Sequence, residues 1–199
     1  MKEKHINFPV VLFFIFVGTW VLLAINPLYR FDWFLENIVV FLFTPLVVLS
    51  YFKFRLSNRA YFLIFVFGML HIAAAHYTYG DTPWGDWLSS FFGWERNHYD
   101  RIVHFLYGVL MTVVFMEFVE RWTSLQGFLR GLFIFALVVA TGALYEVAEF
   151  IVGVTAEPGK GLGFLGFQGD VWDTQKDMFL QSLGALATLC AMSLFSRWK

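Results

Sequence analysis

The chain has 199 residues, 59% of them hydrophobic and 15% charged, with a formal net charge of −1 and a mean hydropathy of +0.65. That balance excludes a soluble globular domain, where about 25% of residues are charged, and it leaves no broad basic surface for nucleic acid. The single cysteine, Cys190, cannot form an intrachain disulfide and is expected to pack as a small hydrophobe.

A helix needs about 20 apolar residues to cross a bilayer. Six runs satisfy this in chain order. The first, 8–25, follows Lys2 and Lys4 but is too long for a signal-peptide core and lacks a small-x-small cleavage site, so it reads as a retained helix. The second, 34–52, contains Pro45, which predicts a kink. The third is 60–77. Next, Thr82 and Pro83 predict an N-cap and first helical position, with Trp84, Trp87, Leu88 and Phe91 at helical spacing. A short amphipathic helix in the headgroup region is the expectation. The fourth and fifth runs are 99–119 and 128–152. Segment 153–169 is glycine-rich, carries Phe164, Leu165 and Phe167, and reads as a mobile stretch dipping into the membrane. The sixth run is 171–195. The predicted fold is all-α: a single transmembrane domain over 1–199 with six spans.

Orientation follows from lysine and arginine in the short loops. Lys2, Lys4, Lys53, Arg55, Arg59, Arg121, Arg130, Arg197 and Lys199 fall on one side, against Arg30, Arg96, Arg101, Lys160 and Lys176 on the other. Both termini are therefore predicted to be cytoplasmic. Among the acids only Glu3, Glu117 and Glu120 fall inside, and the other twelve gather at the outer face. Acids contribute little to topology, so this asymmetry points to function.

The outer ends of the spans carry the chemistry. Asp100 and His104 are four apart and share a helix face, with Tyr107 further along it. Glu146 and Glu149 form an i,i+3 pair, and Asp170, Asp173 and Asp177 fall in one stripe with Gln181 next. His71 and His76 are five apart, about 140° around a helix, and do not share one ion without irregular geometry. Glu36 is either a further contributor or a charge favouring its helix N-terminus. His98 is a weaker candidate and His5 is left aside.

Inward-facing helical carboxylates with a histidine one turn on are how bundles build metal sites. Crowded acids repel unless cations intervene, and a divalent ion is the simplest. Asp100, His104, Glu146, Asp173 and His71 are the expected ligands. Mixed oxygen and imidazole donors suit zinc, manganese or iron, and oxygen alone suits magnesium or calcium. Against this stands an ion-pair network: Arg96, Arg101 and Lys176 are interleaved with the acids and account for the same pattern without metal. Asp81, Asp86, Glu95 and Glu157 read as solvated loop residues.

Tyr99-Asp100-Arg101-Ile102-Val103-His104-Phe105, Glu146-Val147-Ala148-Glu149 and Gly169-Asp170-Val171-Trp172-Asp173-Thr174-Gln175-Lys176-Asp177 resemble the YjdF-type family of bacterial inner-membrane proteins. The resemblance covers most of the chain and implies a polytopic protein of the bacterial plasma membrane; it supplies no reaction. A more distant likeness is to VanZ-like membrane proteins, whose Asp-Lys-x-x-His-Phe is mirrored by Asp100, Arg101, His104 and Phe105. Their Glu-x-x-Gln is similar to Glu146 with Glu149, and their Asp-x-x-x-Asn-x-x-Gly to Asp177, Gln181 and Gly184. Arginine, glutamate and glutamine replace lysine, glutamine and asparagine here, which makes this cluster more acidic.

The leading functional expectation is a metal-dependent hydrolase of a membrane lipid or lipid-linked envelope molecule, with Glu149 or Asp177 as general base and Arg101, Lys176 and Tyr107 toward the substrate. No nucleophilic serine or cysteine motif competes. The alternatives are a small transporter or ion-binding channel working as an oligomer, and a non-catalytic scaffold held by ion pairs.

Overall fold

The computed structural model describes residues 7–157, 160–166 and 168–195. Lys2, Lys4, Arg197 and Lys199, which enter the predicted orientation, lie outside the described residues, as do Glu3, His5 and Phe167. All regular structure among the described residues is helical.

Helix α1 (Phe8–Leu23) begins at a proline in its first turn, where a missing N–H costs nothing. It ends two residues before the predicted limit. Helix α2 (Arg30–Lys53) starts four residues earlier than the apolar run suggests, which brings Asp32 into its first turn, and it continues through Pro45. Helix α3 (Asn58–Tyr77) is capped by Ser57, whose hydroxyl accepts from the Ala60 N–H at 3.1 Å. A single 3₁₀ turn (Tyr79–Asp81) leads into α4 (Pro83–Phe92), the short helix expected there. Thr82 holds the N-cap position, but its hydroxyl does not cap α4: it donates to Asn97 Oδ1 at 3.4 Å. Trp87, Phe91 and Phe92 are exposed while Gly85 and Ser89 are buried, which gives α4 its two faces. Then come α5 (Tyr99–Trp122), α6 (Gly127–Thr155), α7 (Leu162–Leu165) and α8 (Asp173–Phe195).

Helices α2, α3, α5, α6 and α8 are long and apolar enough to cross a membrane; α1, at 16 residues, is apolar but shorter. Large apolar side chains such as Phe14, Phe52, Phe128 and Leu144 are exposed around the outside, and carboxylates lie within. That is the reverse of a soluble domain and suits hydrocarbon as solvent. Cys190, expected to pack as a small hydrophobe, lies on the exposed side of α8. The helix is apolar all round there, so sequence periodicity cannot pick its inner face.

Helix α5 lies at the centre, against α3, α6 and α8. Its contact with α8 is backbone on backbone. A Cβ at Gly108 would fall 2.0 Å from the Gln181 carbonyl oxygen, and one at Gly184 2.3 Å from that of Phe105. Small residues permit this approach, as is usual between helices in lipid. It locks the start of α8 beside the start of α5.

Candidate metal centre

The starts of α2, α5 and α8 meet the ends of α3 and α6, and the buried polar side chains collect where they meet. On α5 the i,i+4 spacing brings His104 Nε2 to 3.4 Å from Asp100 Oδ1. Glu146 of α6 places Oε1 at the same distance from that nitrogen, an electrostatic contact rather than a hydrogen bond. Asp177 of α8 completes the group. One ligand atom from each of Asp100, His104 and Asp177 lies within 4.8 Å of the others, and all three residues are buried.

Packing below the centre explains why the three meet. Gly108 lies one turn beyond His104 and Gln181 one turn beyond Asp177, so the bare backbone contact of α5 with α8 sets their spacing. Gly142 of α6 makes room for the Gln181 side chain, whose Oε1 would lie 1.7 Å from a Cβ there.

Around this triad the charges separate into two layers. Glu149 lies within electrostatic range of Glu36, Asp100, Glu146 and Asp177, and Asp100 within range of Glu36 and Asp177. Among the described residues, no lysine or arginine forms an ion pair with any of the five. Glu36 Oε1, Glu146 Oε1 and Asp177 Oδ1 are buried without a hydrogen-bond partner. In the second layer, Asp173 accepts from Arg96 through both oxygens, at 2.7 and 3.3 Å, and from Arg101 at 3.3 Å. Asp170 is bound by Arg101 and by Lys176 Nζ at 2.5 Å. The Lys176 ammonium, helped by Arg101, holds the Asp170 carboxyl down to about 2. Partial burial, with the Arg101 and Arg96 guanidiniums nearby, lowers His98 below the usual imidazole range.

A third group lies beside the triad. Tyr145 donates to Glu36 Oε2 at 2.6 Å; His71 places Nδ1 2.7 Å from the Tyr79 hydroxyl and Nε2 3.0 Å from the Glu36 carbonyl oxygen. Helix α7 closes over this group. The Phe164 ring is buried 6.1 Å from Tyr145, and a Cβ at Gly163 would meet Asp32 Oδ2 at 2.9 Å. The segment expected to dip into the membrane thus turns Phe164 inward. Gln168 ties it down, accepting from the Asn97 N–H at 3.0 Å and donating to the Asn97 carbonyl at 2.9 Å.

The sequence candidates divide accordingly. Asp100, His104, Glu146, Glu149 and Asp177 are brought together. Asp173 is engaged by arginines, and both nitrogens of His71 are taken by protein partners. Asp170 does not continue the stripe of Asp173 and Asp177, because α8 begins only at Asp173. Arg101 and Lys176 hold Asp170. Tyr107 lies deeper, its hydroxyl 2.5 Å from that of Thr141 and its ring edge-on to Phe67. Of the supposed loop acids, Asp86 accepts from Asn97 at 2.9 Å and Asp81 from Thr78 at 2.9 Å. Asp32 and Tyr145 were not anticipated; the signal for Asp32 is its i,i+4 spacing to Glu36.

The family model described as "Predicted membrane protein (DUF2238)" matches residues 8–198. Inner membrane protein YjdF of Escherichia coli (strain K12) is 32% identical over 167 residues, which span 83% of this chain and 79% of that protein. No solved structure matches. The chain belongs to the DUF2238 family of membrane proteins.

Proposed function

We propose that this family member is an integral membrane protein that holds a divalent cation in the buried centre formed by Asp100, His104 and Asp177, with Glu146 beside them. One observation carries this: three ligand atoms within 4.8 Å sit among buried carboxylates that, among the described residues, pair with no lysine or arginine. Ionisable groups at the end of a span are expensive and mark a site by default. Two carboxylates and an imidazole suit zinc, manganese or iron; magnesium fits if the imidazole is not used.

In the bilayer, α1 is the sixth span and α4 lies in the interface. Glu36 and Asp100 lie at the non-cytoplasmic ends of the 34–52 and 99–119 runs in the predicted orientation, so the centre sits at outer-leaflet level with both termini in the cytoplasm. By its relative's name, the location is a bacterial inner membrane. The activity consistent with such a centre is hydrolysis of a membrane lipid or lipid-linked envelope molecule: a divalent ion acidifies water and polarises the bond to be broken. Glu149, one turn beyond Glu146, is the general base. Asp177, first assigned as base, serves as a ligand. The triad's likeness to the VanZ-type motif supports the importance of these positions and no shared reaction.

Elemental analysis of detergent-purified protein reloaded with zinc, manganese or magnesium tests this. Stoichiometric metal is expected in the wild type and absent from His104→Ala and Asp177→Asn. Folded wild-type protein that takes up none of these ions overturns the proposal.

The cation-paired layer favours one other reading: Arg96, Arg101 and Lys176 with Asp170 and Asp173 form the structural network expected of a non-catalytic scaffold. It accounts for the rim and not for the inner five acids.

A further inference from the structure

The helix ends opposite the metal centre gather charge of the other sign. There the α2–α3 connection lies against the last turns of α5. Glu117 accepts from the Ser57 N–H at 2.6 Å and from the Ser57 hydroxyl at 2.5 Å. Arg121 pairs with Glu117 at 2.6 Å and donates to the Arg55 carbonyl. Arg55 in turn donates to Asn7 Oδ1 at 2.8 Å, its guanidinium 4.9 Å from the Tyr51 ring centre. Lys53 and Arg59 flank the connection, are exposed, and form no ion pair or hydrogen bond among the described residues. These cations outnumber the acid between them, and Glu117 is already engaged by Ser57 and Arg121. The next acid along, Glu120, is held by Arg130 at 3.0 Å. Beside the cations Phe54, Phe118 and Trp122 form an aromatic shelf. The Phe54 and Phe118 ring centres lie 5.5 and 6.1 Å from that of Trp122. Phe118 is 40% exposed and Trp122 59%.

We infer that this corner of the bundle binds one anionic phospholipid, its phosphate at Lys53, Arg59 and Arg121 and its chains on the Phe54, Phe118 and Trp122 shelf. The site is independent of the metal centre. Helix α5 rises about 30 Å between Asp100 and Arg121, which matches the hydrocarbon thickness of a bilayer. Arg121 therefore stands at headgroup level, while Phe118 faces acyl chains from a helix apolar enough to cross. Charge complementarity fixes the headgroup: cations beside a membrane surface attract anionic lipid, and a zwitterionic one brings a cation of its own. The shelf excludes a soluble anion as the fitting occupant, because it would leave three aromatic rings uncovered. A loop that served orientation alone would need the charge and not the shelf. Arg121 is also held in place through Glu117 and the Arg55 carbonyl, so little side-chain freedom is lost when phosphate docks.

Native mass spectrometry of the full chain in detergent tests this, with titration of phosphatidylglycerol or of phosphatidylcholine carrying the same acyl chains. Wild type should bind one phosphatidylglycerol at least ten-fold more tightly than phosphatidylcholine. Lys53→Gln with Arg59→Gln should weaken phosphatidylglycerol about 25-fold, from roughly five-fold for each charge. The melting temperature of that pair should not move, since neither side chain has a partner in the fold. Lys53→Arg with Arg59→Lys should keep wild-type affinity. Arg30→Gln with Lys160→Gln, away from this corner, should also leave it unchanged. Equal affinity for the two lipids overturns the inference, as does an equal loss in the Arg30 and Lys160 pair, which would mean general charge attraction. Displacement of phosphatidylglycerol by millimolar inorganic phosphate overturns the lipid assignment in favour of a soluble anion.

Discussion

Substituting Gly108 by alanine should damage the protein far more than the same change at Gly142. Both glycines abut Gln181 and both would clash, but with different partners. At Gly108 the new Cβ lies 2.0 Å from the Gln181 carbonyl oxygen and 2.9 Å from the Ala185 nitrogen, all backbone of α8. Ordinary contact begins at 3.4 Å, so the helices must part by about 1.4 Å at that level. A closely packed interior does not yield so far without losing contacts along the whole seam, and overpacking of this kind costs about 1–3 kcal/mol or more. Alanine's better helix propensity returns up to about 1 kcal/mol, which does not offset it. At Gly142 the nearest atoms belong to the Gln181 side-chain amide, at 1.7–2.4 Å, and that amide can rotate away. Parting α5 from α8 also carries Asp177 away from Asp100 and His104, one turn above. Thermal unfolding in detergent and metal stoichiometry of the two variants are the assays. Gly108→Ala should melt lower and bind less metal, with Gly142→Ala near wild type in both. Equal melting temperatures, or the reverse order, would refute the backbone-contact account of the site's spacing.

Arg96→Met leaves the buried Asp173 carboxylate with Arg101 alone, and thermal unfolding should show a loss toward the lower end of the roughly 3–5 kcal/mol typical of breaking a buried pair. The double change Arg96→Met with Asp173→Leu should recover part of that loss. Tyr145→Phe removes the hydroxyl that donates to Glu36 Oε2 and should cost about 1–3 kcal/mol in the same assay. Asp170, held at about 2 against about 3.9 in an unfolded chain, contributes stability that is complete above pH ~4 and lost as pH falls toward 2. Melting curves of wild type and Asp170→Asn should therefore converge over that window, and a constant difference would contradict the assignment.

Much of the centre was legible because helical spacing is a local property. Asp100 with His104, and Glu146 with Glu149, are faces written into the chain at i,i+4 and i,i+3. What spacing does not encode is which partner each face meets. Asp173 and Asp177 share a stripe, yet one turn separates an acid held by Arg96 from one beside His104. The arginine comes from the α4–α5 connection, whose path depends on Asn97 and Gln168, residues with no periodic signature. Glu36 looked like a first-turn charge because the apolar run begins at Phe34. With α2 starting at Arg30, Asp32 and Glu36 both turn inward. At Cys190, in a helix apolar on every side, hydrophobicity does not distinguish lipid from core.

The two charge layers carry different consequences for stability. Asp170 and Asp173 are compensated by side chains of the same fold, so that layer is complete once the chain has folded. Among the described residues no lysine or arginine pairs with the inner acids, and a buried charge left unpaired costs several kcal/mol. On the proposed reading a divalent ion would neutralise them, and a ligand that binds only the folded state stabilises it by about 2.7 kcal/mol at a free concentration 100 times its Kd. Chelation should accordingly lower the melting temperature of the wild type and leave His104→Ala, already without metal, unmoved. Arg96→Met should keep the chelator-sensitive shift, because it breaks the other layer. An identical shift in wild type and His104→Ala would mean that the chelator acts elsewhere, and that the inner carboxylates are balanced without an ion at the triad.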